Sequence, residues 1–135
     1  MDVTFPDGTQ VRASALVERD EQGRRRDFGL YMDPRWNPTW PAEIIDWPDF
    51  GLPADDARAA AQIRDAFSRA ESGQVVEIGC AGGLGRTGTV LACMAVLAGV
   101  AATDAVSWVR QNYRVSAIET ADQERWISWF AEEGH

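Results

Sequence analysis

The chain has 135 residues, a length suited to one domain (1–135) with its own core. Its net charge of −8 disfavours nucleic acid or an anionic membrane surface as a partner drawn in by long-range attraction. His135 is the only histidine and no lysine occurs. Histidine metal clusters, Ser-His-Asp or Cys-His catalysis by internal groups, Schiff bases and a lysine-bearing Walker loop are thereby excluded.

In chain order, residues 1–6 carry neither the basic nor the apolar region of a leader, which sets cytoplasmic as the expected location. Pro6-Asp7-Gly8 separates Val3-Thr4-Phe5 from Val11-Arg12-Ala13, the pattern of a hairpin. Glu21-Gln22-Gly23 separates Leu16-Val17 from 28–31 and suggests a second hairpin. Arg24-Arg25-Arg26, among acidic neighbours, reads as a solvated loop tip. Tyr31 and Trp36 are candidates for a pocket wall, and Glu43-Ile44-Ile45 for a short strand. A helix is predicted after Pro53, with Asp55 and Asp56 in its first turn and Gly73 closing it. The run 74–78 reads as a buried strand, and residues 79–85, with four glycines, as a loop. From Arg86 to Ala98 the sequence is apolar all round, which predicts a helix packed on every side. The apolar run 90–102 is too short to span a bilayer. Cys93 falls inside that helix, about 10 Å from its start, and reads as core. Thr103 and Thr120 are predicted to cap two further helices. Two cysteines make no disulfide framework and suit a reducing compartment. The order of elements is that of an α/β domain with a single sheet.

Strand, glycine loop and helix start together form an anion site: loop amides turn inward and the helix dipole adds positive charge. Gly83-Leu84-Gly85-Arg86-Thr87-Gly88 fits the dinucleotide pattern G-x-G-x-x-G, but a helix follows where a second strand ending in an acid is needed. The more telling pair is Cys80 and Arg86, separated by five residues. A tight loop brings both to one anion. Loop amides, a helix start and an arginine favour the thiolate, the nucleophilic form. Arg86 offers a planar fork for two phosphate oxygens, and Thr87 a hydrogen bond to the sulfur as it leaves.

Cys-x5-Arg-Thr-Gly after a short strand resembles the signature loop of the protein tyrosine phosphatases, here in a form similar to the dual-specificity branch and its small bacterial relatives. Two other segments share the resemblance. Trp47-Pro48-Asp49-Phe50-Gly51-Leu52-Pro53 looks like the family's mobile acid loop, and Glu119-Thr120-Ala121-Asp122-Gln123 like its glutamine loop. The resemblance is clear over 43–130 and leaves 1–42 without a counterpart. It implies a small twisted sheet flanked by helices, and phosphomonoester hydrolysis through a phosphocysteine. Cys80 would be the nucleophile, Arg86 the phosphate clamp and Asp49 the general acid. Ala81, Gly82, Gly83, Leu84, Gly85, Arg86 and Thr87 would bind phosphate, with Gln123 and Glu119 placing the water. Neither a metal nor an organic cofactor is implied.

Two positions depart from the family. Gly79 stands where histidine normally precedes the nucleophile, which predicts a weaker hold on the loop and lower activity at mildly acid pH. Glu119 replaces the first glutamine of tyrosine-specific members. The expected substrate is a phosphorylated protein or peptide, phosphotyrosine favoured. The alternatives are a phosphorylated small metabolite and a phosphate-binding pseudophosphatase. No basic side chain lies between Cys80 and Arg86, which disfavours phosphoinositides.

Overall fold

The computed structural model describes residues 1–16 and 25–133. The elements are β1 (Asp2–Thr4), β2 (Gln10–Ala15), β3 (Phe28–Tyr31), β4 (Ala42–Ile44), α1 (Asp56–Glu71), β5 (Val76–Cys80), α2 (Gly85–Leu97), α3 (Ala102–Asn112) and α4 (Ala121–Glu133). The strands form one sheet in the order β1-β2-β5-β3-β4. β1 and β2 make the expected antiparallel hairpin, Val3 facing Val11. The other three pairings are parallel.

Among the described residues, β2 and β3 do not pair as a second hairpin. β5 lies between β2 and β3, pairing Ala13 with Ile78 on one side and Leu30 with Ile78 on the other. Its turn, 21–23, and Arg24 lie outside the described residues. A strand hydrogen-bonded along both edges and covered on both faces must be apolar or paired throughout, and all five residues of β5 are buried.

Register gives the sheet two unlike faces. Val11, Ala13, Ile78, Cys80, Phe28 and Leu30 belong to the main core with Ile63 and Phe67 of α1 and Val90, Leu91 and Met94 of α2. α1 packs on β2, β3 and β5, while α2 packs on β5 and carries α3 and α4 on its outer sides. Residues 85–95 of α2 are therefore all buried, as an all-round apolar helix requires. The other face presents Ser14, Glu77, Gly79 and Tyr31. Its buried carboxylate is fully engaged. Glu77, 1% exposed, accepts hydrogen bonds from Ser14 Oγ (2.8 Å), Arg26 Nε (2.8 Å) and Tyr31 Oη (2.7 Å). Arg26 is thus a buried ion-pair partner, stacked over Trp40, and not part of a solvated tip.

Two of the four described helices, α1 and α4, start on a side-chain cap, and α2 and α3 do not. Asp55 caps α1 by accepting from Arg58 N, and Thr120 accepts from Gln123 N at the start of α4. α3 begins two residues earlier than expected: Ala101 is its N-cap, without a side-chain hydrogen bond, and Thr103 sits exposed inside the first turn. Packing on α2 holds α3 in place of a cap.

Candidate active site

Cys80 ends β5, the middle strand, and α2 begins at Gly85, so the connecting loop stands at the carboxyl edge of the sheet where open α/β folds collect ligands. The loop's carbonyls are held from outside. Cys80 O accepts from Trp36 Nε1 (3.5 Å), Ala81 O from Leu16 N (3.1 Å) and Gly83 O from Tyr113 Oη. Leu84 O accepts from Gly88 N (2.9 Å) and Ile118 N (3.2 Å), and Gly85 O from Thr89 Oγ1 (2.7 Å). All these peptides are trans, which puts each N–H opposite its carbonyl. With these carbonyls engaged, the amides that follow them can turn to the loop's interior, as Gly83 N does toward the Cys80 sulfur. Together with the start of α2, such a cradle can hold an anion.

The cradle encloses the Cys80 sulfur, which accepts from Gly83 N (3.2 Å) and Thr87 Oγ1 (3.0 Å). Gly83 reaches it with φ of +71°, a backbone that a side chain would strain. Arg86 is 3% exposed. Its Nη1 donates to Met32 O (2.6 Å) and Trp47 O (2.9 Å). Nη2 lies 3.5 Å from Asp33 Oδ2 and 3.6 Å from Asp49 Oδ1. Nε is buried and, among the described residues, has no hydrogen-bond partner. The guanidinium therefore pins two neighbouring loops.

Asp49 stands at the rim, about half exposed, on a tightly closed loop. Gly51 N donates to Pro48 O (2.9 Å), Ala54 N to Asp46 O (2.9 Å) and Trp47 Nε1 to Gly51 O (2.8 Å). Asp49 Oδ1 accepts from Phe50 N (3.0 Å), and Phe50 takes φ of +59°, a strained value for a side chain of its size. Trp47 is buried against Trp126, and Trp126 Nε1 donates to Asp56 of α1.

Gln123 and Glu119 lie on the opposite side of Gly85. A Cβ at 85 would press on the Glu119 carboxylate and meet Gln123 Nε2 at 3.2 Å, so both side-chain ends lie close against Gly85. Gln123 is buried; its Oε1 accepts from Glu119 N (2.9 Å), and its Nε2 lies 3.5 Å from Gly51 O on the acid loop. The loop that carries Glu119 is braced by Arg110, which donates to Ala117 O and Ile118 O. Cys93 is far from this chemistry in character: fully buried in α2, its thiol is pushed well up by desolvation.

Of the residues singled out from the sequence, Thr87 touches Cys80, Asp49 lies beside Arg86, and Gln123 and Glu119 flank Gly85. Four others were not foreseen in their places. Asp33, at the end of β3, touches Arg86; its carboxyl is held down to about 2, chiefly by hydrogen bonds from Arg35, with the fields of Arg35 and Arg86 adding to them against the opposing burial. Tyr113 grips the loop through Gly83. Trp36 and Tyr31 lie behind the loop instead of walling a pocket, stacked at 4.3 Å. Asp33 could be found only by knowing that β3 lies beside β5.

Residues 51–128 match the family described as PTP-SAK, a Swiss Army Knife protein DSP-PTPase phosphatase domain. An uncharacterized protein of Methanocaldococcus jannaschii, MJECL20, is 34% identical over 110 residues, 73% of this chain and 71% of its own length. Among solved structures, Tk-PTP in its active form is similar with a TM-score of 0.68 at 24% identity, covering 80% of each chain. Kinase associated phosphatase (KAP) is similar with a TM-score of 0.68 at 18% identity, over 80% of this chain and 70% of its own. The family match spans more than half the chain, and the Cys80–Arg86 cradle lies within it: the chain belongs to the DSP-PTPase phosphatase family.

Proposed function

We propose that the chain hydrolyses phosphomonoesters through a phosphocysteine, with phosphotyrosine in a protein or peptide as preferred substrate. One observation carries the reading: the Cys80 sulfur accepts hydrogen bonds from Gly83 N and Thr87 Oγ1 in the short loop that runs from the middle strand to Arg86. Phosphate oxygens take the loop amides and Arg86. Cys80 Sγ attacks phosphorus from the cradle floor, the P–O bond to the leaving group breaks, and Asp49 delivers the proton that oxygen needs. Asp49, now a carboxylate, takes a proton from a water placed by Gln123 and Glu119. That water attacks phosphorus, the S–P bond breaks, and phosphate leaves with Cys80 restored. The amides and Arg86 oppose the charge that grows on the equatorial oxygens in both steps.

The absence of a cation between Cys80 and Arg86 and the net charge of −8 favour a substrate with one phosphate over a polyanionic headgroup. The test is hydrolysis of p-nitrophenyl phosphate, followed by matched phosphotyrosine and phosphoserine peptides. Turnover is expected in wild type, none in Cys80→Ser, and a loss of about 10²- to 10⁴-fold in Asp49→Ala. Wild type that binds orthovanadate without turnover sinks the catalytic reading and leaves a phosphate-binding protein. Equal rates on both peptides remove the phosphotyrosine preference.

A further inference from the structure

Gly79 immediately precedes Cys80, and its missing side chain has a specific occupant. A Cβ there would lie 2.7 Å from Cζ2 and 3.0 Å from Cε2 of Trp36, and 3.1 Å from Cδ1 of Tyr31. No larger residue fits without moving the indole. Trp36 is 3% exposed and stacks on Tyr31 with an interplanar angle of 13°. Tyr31 is fixed in turn: its Oη donates to Glu77 and accepts from Trp40 Nε1 (2.9 Å). Glu77 lies on β5 two residues before Gly79, so the ring stack is anchored to the strand it serves. From that seat Trp36 Nε1 donates a long hydrogen bond, 3.5 Å, to the Cys80 carbonyl.

The bond acts on the first peptide of the loop. Its carbonyl oxygen belongs to Cys80 and its N–H to Ala81, and in a trans peptide the two point opposite ways. A donor that holds the oxygen from behind therefore turns the Ala81 N–H toward the cradle. We propose that Trp36 is a positioning residue of the cysteine loop: seated on the bare Gly79, it fixes the 80–81 peptide so that the Ala81 amide faces the sulfur and its anion. The pair Gly79–Trp36 is one device, in which a side chain from the turn after β3 holds the strand end from across the sheet. The inference rests on the reading of this loop as a phosphate cradle. It requires no substrate identity.

Trp36→Phe keeps an aromatic ring over Gly79 and removes the N–H. Two quantities report the amide's orientation: the pH at which iodoacetate alkylation of Cys80 reaches half its maximal rate, with the adduct located by peptide mass, and the affinity for orthovanadate. The expected result is a half-rate pH about one unit higher and vanadate binding about tenfold weaker. A folded Trp36→Phe with wild-type values for both overturns the proposal, because a purely structural role lowers the melting temperature without moving either. Should Trp36→Phe not fold, Gly79→Ala, which displaces the indole by contact, carries the same expectation and the same overturning result. Neither readout needs turnover, so an inactive wild type would refute the proposed function while leaving this inference open to test.

Discussion

Arg86 shows how much one side chain carries in this site. Its Nη1 is shared by the carbonyls of Met32 and Trp47, one at the end of β3 and one on the acid loop. Lysine has a single ammonium, no plane and a shorter reach, so it serves neither the phosphate fork nor both carbonyls. Arg86→Lys is expected to lower kcat/KM for p-nitrophenyl phosphate by about 10²- to 10³-fold. It should also lower stability by about 1–3 kcal/mol, the cost of a buried acceptor left unmet. Steady-state kinetics and denaturant unfolding on one preparation check both; a variant with lost activity and unchanged stability would mean that the carbonyl contacts are incidental. At this scale the sequence was informative where chemistry is local. Cys80, Arg86 and Thr87 flank one short loop, so their spacing alone placed them together. Asp33 and Trp36 reach the same loop from β3 and the turn after it, and nothing near them in the chain signals that destination. Gly79 was legible as a departure from the family, but its reason, an indole arriving from 43 residues earlier, was not.

Among the elements, the loop 47–53 has its own closure chemistry. Trp47 Nε1 donates to Gly51 O at 2.8 Å, while Gln123 Nε2 makes only a long contact to the same oxygen. The first bond therefore dominates. A hydrogen bond of this kind contributes about 1 kcal/mol net, which is about a fivefold bias toward the loop conformation that places Asp49 at the rim. Trp47→Phe, which keeps a ring against Trp126, should lower kcat about fivefold, leave KM nearly unchanged, and leave the pH of Cys80 alkylation where it is. A rise in KM without a fall in kcat would show that Trp47 serves phosphate binding through Arg86 instead. Helices and the first hairpin were legible because their partners are near in sequence. The order β2-β5-β3 was not, because parallel neighbours are joined by long crossovers and a turn signal at 21–23 argues for the wrong pair. Likewise a threonine near a helix start invites a cap, yet α3 takes its position from burial against α2.

For the molecule as a whole, stability should be bounded by groups that the fold keeps in one protonation state. Burial pushes the Cys93 thiol well up, and burial, with the charge and hydrogen bond of Glu77, pushes the Tyr31 phenol up. Both keep their protons in the folded chain while the unfolded chain releases them, near pH ~8.5 for cysteine and ~10 for tyrosine. Their contribution is complete below those values and is lost as pH rises beyond them, at about 1.4 kcal/mol per pH unit for each proton retained. Asp33 works in the opposite sense. Held down to about 2, chiefly by its hydrogen bonds from Arg35, it stabilises the fold above the unfolded value near ~4 and loses that contribution as pH falls toward 2. The unfolding free energy is therefore expected to be level between about pH 5 and 8 and to fall on both sides. Cys93→Ala removes the first alkaline group and should carry the onset of alkaline loss from about pH 8.5 to about pH 10, where Tyr31 takes over. Urea unfolding at half-unit steps from pH 7 to 11 reads this directly. An onset that stays near 8.5 in Cys93→Ala would mean that another group sets the alkaline limit, and that the buried thiol of α2 is held without consequence for stability.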